Sequence, residues 1–441
     1  MLSFYHLKSL FLHDGISSCY EKTKNTMFHK KNNKEDSYFF EMYPFSQNIP
    51  NNSHIRKLEL SSAKFGIKDL IPMLYKENTN EYSLMTYGDI FSNEKDRILF
   101  YIVLLKENNI PIRDIIKCIP DKDIKMKEYN IKEYINDYKT ELLHIVNLYN
   151  SIDNENYWKE AIKRNDIHFF PNIKIDSNPE ITSLKNDIAE DIKELTLIKY
   201  CTQETRKNAF KNNIYSWNDI NLNADILRIS LSKKNIVNNI IFANRDNKYF
   251  ITNYEYDGIE LYLDIENIYN FIYMIGVFWI ENNEPKFEQY TANRNEYYKK
   301  NDKRIINKYI DLINRLKPSR IYIWGKHEIN FFKKKEICTD NLFDFFKKIE
   351  NDAFAIPGIF NHSLKSVGKL FFKNGWITSI WDNNILNGYD AMKDAKYRYE
   401  KNLSLDDNKN YNKMDVIIMY EIIEVFKNKI LIDLLNNNQS L

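Results

Sequence analysis

The chain is 441 residues long, 43% hydrophobic and 15% aromatic, enough apolar matter for about two or three cored domains and too much for a disordered chain. Its 63 basic and 61 acidic residues leave a net charge of +2, which excludes a uniformly basic nucleic-acid coat but not a local basic groove. Cys19, Cys118, Cys201 and Cys338 lie far apart with no Cys-x-x-Cys pair, which excludes a disulfide framework and a zinc ribbon and suits a reducing compartment.

In chain order, Met1 to Phe11 carries Lys8 inside its apolar stretch and lacks a small-residue cleavage site, so it reads as neither signal peptide nor anchor. Residues 30–36 and 51–53 are polar loops, and the apolar residues Ile98, Leu99, Ile102, Val103 and Leu105 predict an amphipathic helix over 93–107. A second helix is predicted over 131–149, with Tyr134, Leu142, Leu143, Val146 and Leu148 mostly inward. Pro171 and the Ser177-Asn-Pro179 segment punctuate a boundary near residue 180. Residues 184–229 read as helix, turn, helix. Their ending, Asn213-Ile-Tyr-Ser-Trp-Asn-Asp219, is similar to the tail of helix-hairpin-helix units, although Cys201-Thr-Gln203 stands where such units have Gly-x-Gly; a plain structural connector is the alternative.

From Lys248 onward the pattern changes. Tyr249 to Thr252 and Leu261 to Ile265 read as strands, and 273–280 with 286–291 as a hairpin around Glu281-Asn-Asn-Glu-Pro285. A helix is predicted over 296–316, with Ile305, Ile306, Tyr309, Ile310 and Ile313 on one face, and Arg320 to Trp324 as a short buried strand. The apolar run from Tyr269 to Ile280 is too short for a bilayer, so the expectation is a soluble intracellular protein of cytoplasm or nucleus with no membrane partner.

The chemistry is concentrated in Glu260-Leu-Tyr-Leu-Asp-Ile-Glu266. Side chains two apart on a strand share a face, so Asp264 and Glu266 stand side by side. Two acids so placed repel, and burial is costly unless a cation sits between them, most commonly a divalent metal. Glu328 follows the strand 320–324, at the end where α/β folds usually place ligands. Tyr411 and Asp415 are four apart, on one face of a C-terminal helix. Hard ions favour several carboxylate oxygens, so Asp264, Glu266, Glu328 and Asp415 are the candidate ligands of two Mg²⁺ or Mn²⁺ ions. Tyr411 would position or deprotonate an attacking water. Lys326 and His327 are candidate phosphate contacts, with a packed strand-end residue the alternative for His327.

Asp264-x-Glu266 together with Tyr411-x-x-x-Asp415 resembles the first and third motifs of the DnaQ-like (DEDD) 3′–5′ exonucleases in their tyrosine variant. More closely, residues 185–430 resemble the RNase H-like nucleases that follow a RecB-like domain, among them versions carried by large DNA viruses. The resemblance rests on Ile192-Lys-Glu-Leu-Thr-Leu197, Tyr322-Ile-Trp-Gly-Lys-His-Glu328, Ile356-Pro-Gly-Ile-Phe-Asn-His-Ser-Leu-Lys-Ser-Val367, Asn387-Gly-Tyr-Asp-Ala-Met392 and the Tyr411 motif. It implies an α/β fold whose residues 245–435 form an RNase H-like mixed sheet with flanking helices. A helical connector at 181–235 and an α+β N-terminal domain at 1–180 would precede it. Most DEDD exonucleases have Asp at the middle motif where this chain has Glu328. Lys365, within Ser363-Leu-Lys-Ser-Val367, is a candidate for substrate phosphate or for an internal salt bridge.

In such relatives the N-terminal half holds a PD-(D/E)XK nuclease core, which needs an Asp and then an acid-x-Lys on the next strand. Asp123-Ile-Lys125 has the letters but lies in a polar, Lys-rich run, and Asp89 stands alone after Tyr87-Gly88. The expectation is a degenerate first domain ahead of a metal-dependent nuclease on DNA or RNA. The alternative is an inactive nuclease fold that binds nucleic acid or organises a complex. Trp324, Phe360, Trp376 and Trp381 would stack on bases in the first case or pack as core in either.

Overall fold

The computed structural model describes residues 54–65, 67–76, 81–87, 95–119, 127–154, 156–175, 179–251, 254–381 and 387–428, with residues 10, 18 and 430. The chain divides into two compact units, Met1–Thr196 and Leu197–Leu441, so the division falls within the 181–235 segment. Both units are mixed α/β.

The first unit holds β1 (His54–Ser62), β2 (Ile67–Lys76), β3 (Tyr82–Tyr87), α1 (Lys95–Glu107), β4 (Ile112–Ile119), β5 (Lys127–Asn130), α2 (Lys132–Ser151), α3 (Tyr157–Lys163) and α4 (Pro179–Asp191). Its sheet runs β1-β2-β3-β4-β5, an antiparallel meander followed by a crossover through α1 to a parallel β4. The sequence reads α1 as amphipathic, but every residue from Ile98 to Leu105 is buried, as expected of a helix apolar all round. On α2 the inward stripe is Ile135, Tyr138, Leu142, Ile145 and Tyr149, whereas Tyr134 and Leu143 are 47% and 40% exposed, correcting their expected orientation. Asp89, Asp123 and Lys125 lie outside the described residues, as do the loops 30–36 and 51–53. The strand β3, Tyr82-Ser-Leu-Met-Thr-Tyr87, carries neither an acid nor a lysine.

The second unit begins with α5 (Gln203–Phe210) and α6 (Lys234–Asp246). Cys201-Thr-Gln203 is a helix start: the Thr202 hydroxyl accepts from Thr205 N at 3.3 Å in a capping box. Residues 249–251 form no strand; Phe250 makes a single antiparallel bridge to Ala355, and Thr252 lies outside the described residues.

The main sheet comprises β6 (Glu260–Ile268), β7 (Phe271–Glu281), β8 (Glu284–Thr291), β9 (Arg320–Ile323) and β10 (Leu342–Asp344), in the order β10-β9-β6-β7-β8. Strands β6, β7 and β8 pair antiparallel, while β9 runs parallel to β6 and β10 parallel to β9. The β7–β8 hairpin closes on Asn282 and Asn283, both at positive φ (53° and 62°), the demand of a two-residue turn that asparagine meets well. The helix predicted over 296–316 is two: α7 (Arg294–Lys299) and α8 (Lys303–Leu316), broken where Lys300 takes the left-handed conformation. Then follow α9 (His327–Lys334), α10 (Phe345–Asn351), α11 (Leu364–Lys373), α12 (Gly388–Lys401) and α13 (Asp406–Lys427).

Strand alternation sorts the core onto two faces. Leu261, Leu263 and Ile265 pack with Ile305, Tyr309 and Leu312 of α8. Tyr262 faces the other way, among Val416, Met419 and Ile422 of α13 and Val367 and Phe371 of α11. Asp264 and Glu266 keep Tyr262's parity and so lie on the α13 side.

Candidate functional site

Asp264 and Glu266 occupy the middle of the central strand, opposite Gly276 and Met274 of β7. The helix α13 packs across β6 and β7, and its apolar side buries Val416, Ile418, Met419, Ile422 and Ile423. Asp415, directly before that stripe, and Tyr411, one turn earlier, are also buried, so the same packing carries both over the acid pair. Carboxylate oxygens of Asp264, Glu266 and Asp415 come together within 4.8 Å of one another.

Asn412, beside Tyr411, organises the cluster. Its amide Nδ2 donates to Asp264 Oδ2 at 2.6 Å and to the Asp264 carbonyl at 3.2 Å. Its Oδ1 accepts from Gln289 Nε2 at 2.8 Å. Asp264, Gly276 and Gln289 are register partners across three strands, and Asn412 lies over the middle one. A Cβ at position 276 would stand 2.2 Å from Asn412 Oδ1, so only glycine admits this amide. Asp415 is held from another side, where Trp381 Nε1 donates to its Oδ1 at 2.7 Å and the Tyr411 hydroxyl also donates to it. Neither Asn412, Gln289 nor Gly276 emerges from sequence reasoning. The signal was there in Gly276, a lone glycine in an otherwise bulky buried strand, which marks a close approach.

The acids are in electrostatic tension. Burial, then the charges of Asp415, Glu266 and Glu328, hold Asp264 far above the ordinary carboxylate range, and only the Asn412 hydrogen bond counters them. Burial with Asp415 and Glu328 does the same to Glu266, countered by Lys365. Burial pushes Asp415 up to about 7 against the Trp381 hydrogen bond, Lys365 and the Tyr411 hydrogen bond. Burial and the neighbouring carboxylates push the Tyr411 phenol well up, so it stays a protonated donor rather than a base.

Glu328 follows the C-terminal end of β9 and lies in the first turn of α9, 4% exposed. Asp344 Oδ1 accepts from Gly325 N at 3.0 Å and so holds the turn that delivers it. Burial, helped by Asp344 and Asp415, pushes Glu328 up to about 8. Its Oε2 has no hydrogen-bond partner among the described residues. Glu328 feels the other three acids but stands outside their 4.8 Å group. Lys326 is exposed at the N-cap of α9. His327 Nε2 donates to Asn267 Oδ1 at 2.7 Å, and its ring lies 4.9 Å from Phe331, so it ties α9 to the end of β6. Lys365, in the first turn of α11, lies 4.5 Å from the Tyr411 ring centroid and 5.7 Å from that of Trp381.

The aromatics are engaged within the fold. Trp324 Nε1 donates to the His362 carbonyl at 2.9 Å, Trp376 packs on Phe371 and Phe360 on Trp217.

A hard divalent cation fits the three-carboxylate group: the donors are oxygen, the site is buried, and Glu266, 6% exposed, meets no hydrogen-bond donor among the described residues. An orphaned buried carboxylate beside two others is what an ion would complete. Among the described residues no helix is long and apolar enough to cross a membrane. Comparison with protein-family models, with curated proteins and with solved structures finds no match to the chain.

Proposed function

We propose that the chain is a metal-dependent nuclease that hydrolyses phosphodiester bonds of DNA or RNA from the 3′ end. The observation that carries this reading is the convergence of Asp264, Glu266 and Asp415, with Tyr411 one helical turn from Asp415, on a buried face of the central strand. The strand order β10-β9-β6-β7-β8, with three antiparallel strands and two parallel additions, supports an RNase H-like arrangement in which β6 is the first strand. The 3′–5′ polarity rests on the resemblance of the Asp264 and Tyr411 motifs to the DEDD exonucleases.

A bound Mg²⁺ or Mn²⁺ supplies the Lewis acidity that activates water and neutralises phosphate charge. Asp264, Glu266 and Asp415 hold it. Asn412 fixes the Asp264 carboxylate, and Trp381 fixes Asp415. Tyr411, kept protonated, donates a hydrogen bond that orients the Asp415 carboxylate and its surroundings. Lys365 lies beside the acids, placed to meet a phosphate.

The same lysine favours the second reading, an inactive nuclease fold that binds nucleic acid, because an ammonium beside buried acids is one way to neutralise them without metal. The experiment follows 3′-labelled and 5′-labelled single strands of DNA and RNA with Mg²⁺, Mn²⁺ or EDTA, alongside Asp264→Ala. Metal-dependent release of mononucleotides from the 3′ end, lost in Asp264→Ala, is expected. Strand binding without cleavage under any metal establishes the second reading, and neither binding nor cleavage refutes both.

A further inference from the structure

We infer that Glu421 is a positioning residue of the acid site: it holds the segment that carries Trp381, and through that indole it fixes the Asp415 carboxylate. The consequence for an ion rests on the metal-dependent reading, whereas the hold itself is a property of the metal-free chain.

The segment that follows α11 needs such a hold. Residues 377–381 belong to no helix or strand, and their backbone makes no hydrogen bond to other backbone groups among the described residues. Glu421 of α13 supplies the missing partner. Its Oε2 accepts from Thr378 N and Ser379 N, both at 2.9 Å. Its Oε1 accepts from Thr378 Oγ1 at 2.8 Å and from Ser379 Oγ at 2.9 Å. A carboxylate offers about four acceptor positions, so the segment saturates this one. Glu421 is accordingly no part of the group formed by Asp264, Glu266 and Asp415.

Two residues beyond Ser379 the indole reaches the site. Trp381 Nε1 donates to Asp415 Oδ1 at 2.7 Å, and the ring packs with Tyr411 and Ala391. Gly368 of α11 makes the room: a Cβ there would stand 3.0 Å from Trp381 Cη2 and Cζ3. Asp415 and Glu421 lie on one helix, about 9 Å apart along its axis. The segment is therefore tied twice to the same rigid element, at Thr378 and Ser379 and again through the indole. Without the first tie, the indole is its single hydrogen bond to α13 among the described residues. One such bond contributes little against the chain entropy that five unpaired residues regain.

The test reads the hold first and the ion second. Indole nitrogens are labelled with ¹⁵N, and solvent exchange of the Trp381 N–H, identified by its absence in Trp381→Phe, is followed in the metal-free full chain. Glu421→Ala removes all four acceptor contacts and should speed that exchange about tenfold or more. Glu421→Gln should stay near the parent, because its oxygen still accepts both backbone N–H groups while its amide donates to the two hydroxyls. Mn²⁺ titration by calorimetry then reads the site. Glu421→Ala and Trp381→Phe are each expected to weaken binding about tenfold, and the double variant no further, because both act through one indole. If Glu421→Ala fails to fold, Thr378→Val with Ser379→Ala removes two of the four bonds, and exchange about threefold faster is expected. Parent-like exchange in these variants, no rescue by Glu421→Gln, or losses of Mn²⁺ affinity that add in full would overturn the inference while leaving a metal-dependent nuclease standing. A parent chain that binds no Mn²⁺ would overturn the metal-dependent reading, and the indole exchange would still decide the hold.

Discussion

The strongest quantitative consequence of the buried acids concerns Asp415→Asn in the absence of metal. Asp415 ionises near 7 in the folded chain against an ordinary 3.8, so keeping it charged above pH 7 costs the fold about 4 kcal/mol. A raised carboxylate favours the folded state only while it is protonated. The stability it allows is intact below about pH 4 and is lost as pH rises towards 7. Asparagine preserves the volume and an oxygen for Trp381 Nε1, yet carries no charge. Because Asp264 and Glu266 still repel each other, roughly half the ceiling, about 2 kcal/mol, is expected as net stabilisation at pH 8. For a unit of this size that raises Tm by about 4–8 °C. Scanning calorimetry in EDTA at pH 4.5 and pH 8 measures it, with the gap between parent and variant nearly absent at the lower pH. With Mn²⁺ at about a hundredfold its Kd, the parent gains about 2.7 kcal/mol while the variant gains little, and the order reverses. A variant less stable at pH 8, or a gap equal at both pH values, would refute the electrostatic account.

Gly276→Ala brings a methyl group against Asn412 Oδ1, so either α13 shifts or the amide turns away from Asp264; a loss of about 1–3 kcal/mol in thermal stability, with weakened Mn²⁺ binding, is expected. Asn412→Ala without the clash should weaken Mn²⁺ binding about 10–100-fold, read by calorimetry, since such outer partners orient ligands. Trp381→Phe removes a hydrogen bond that favours ionised Asp415, so the pH midpoint of Mn²⁺ binding should move upward; an unchanged or lower midpoint counts against Trp381 as an orienting donor. Tyr411→Phe should lower kcat by about 10²-fold or more while leaving Mn²⁺ affinity within a factor of a few, the split expected of a positioning donor rather than a ligand.

Much of the second unit was legible because its signals are local. Alternation placed Asp264 and Glu266 on one face, and spacing of four placed Tyr411 and Asp415 together on a helix. The antiparallel hairpin, helix and parallel strand followed from turn residues and runs of apolar side chains. Errors arose where tertiary context overrode pattern. The helix expected over 296–316 breaks at Lys300, a conformation no periodicity encodes. Residues 249–251 have strand composition but find only one bridging partner. In the first unit, α1 is enclosed on all sides, so its stripe was not an outer boundary; on α2 Leu142, Val146 and Leu148 are inward as expected, while Tyr134 and Leu143 are exposed and Ile135, Tyr138, Ile145 and Tyr149 complete the buried face. Glu328 follows the C-terminal end of β9 as expected, and the structure adds that Gly325 and Asp344 turn the chain there so that Glu328 sits in the first turn of α9.

The residues that escaped sequence reading share a physical property: each works by making room or by orienting another group. Gly276 has no side chain to flag, and Asn412 and Gln289 are polar residues of a kind abundant in this chain. Yet the row Asp264–Gly276–Gln289 spans three strands, and Asn412 ties it to α13. The carboxylate at the heart of the site is thus positioned by the sheet's register itself, and a one-residue slip of β7 would remove both the glycine and the space for the amide. A fold selected for stability alone would have replaced mutually repelling buried acids with apolar side chains of similar volume. Their persistence beside a dedicated orienting amide, an indole donor and one ammonium is a local conflict with packing, and such conflicts are where function is expected to reside.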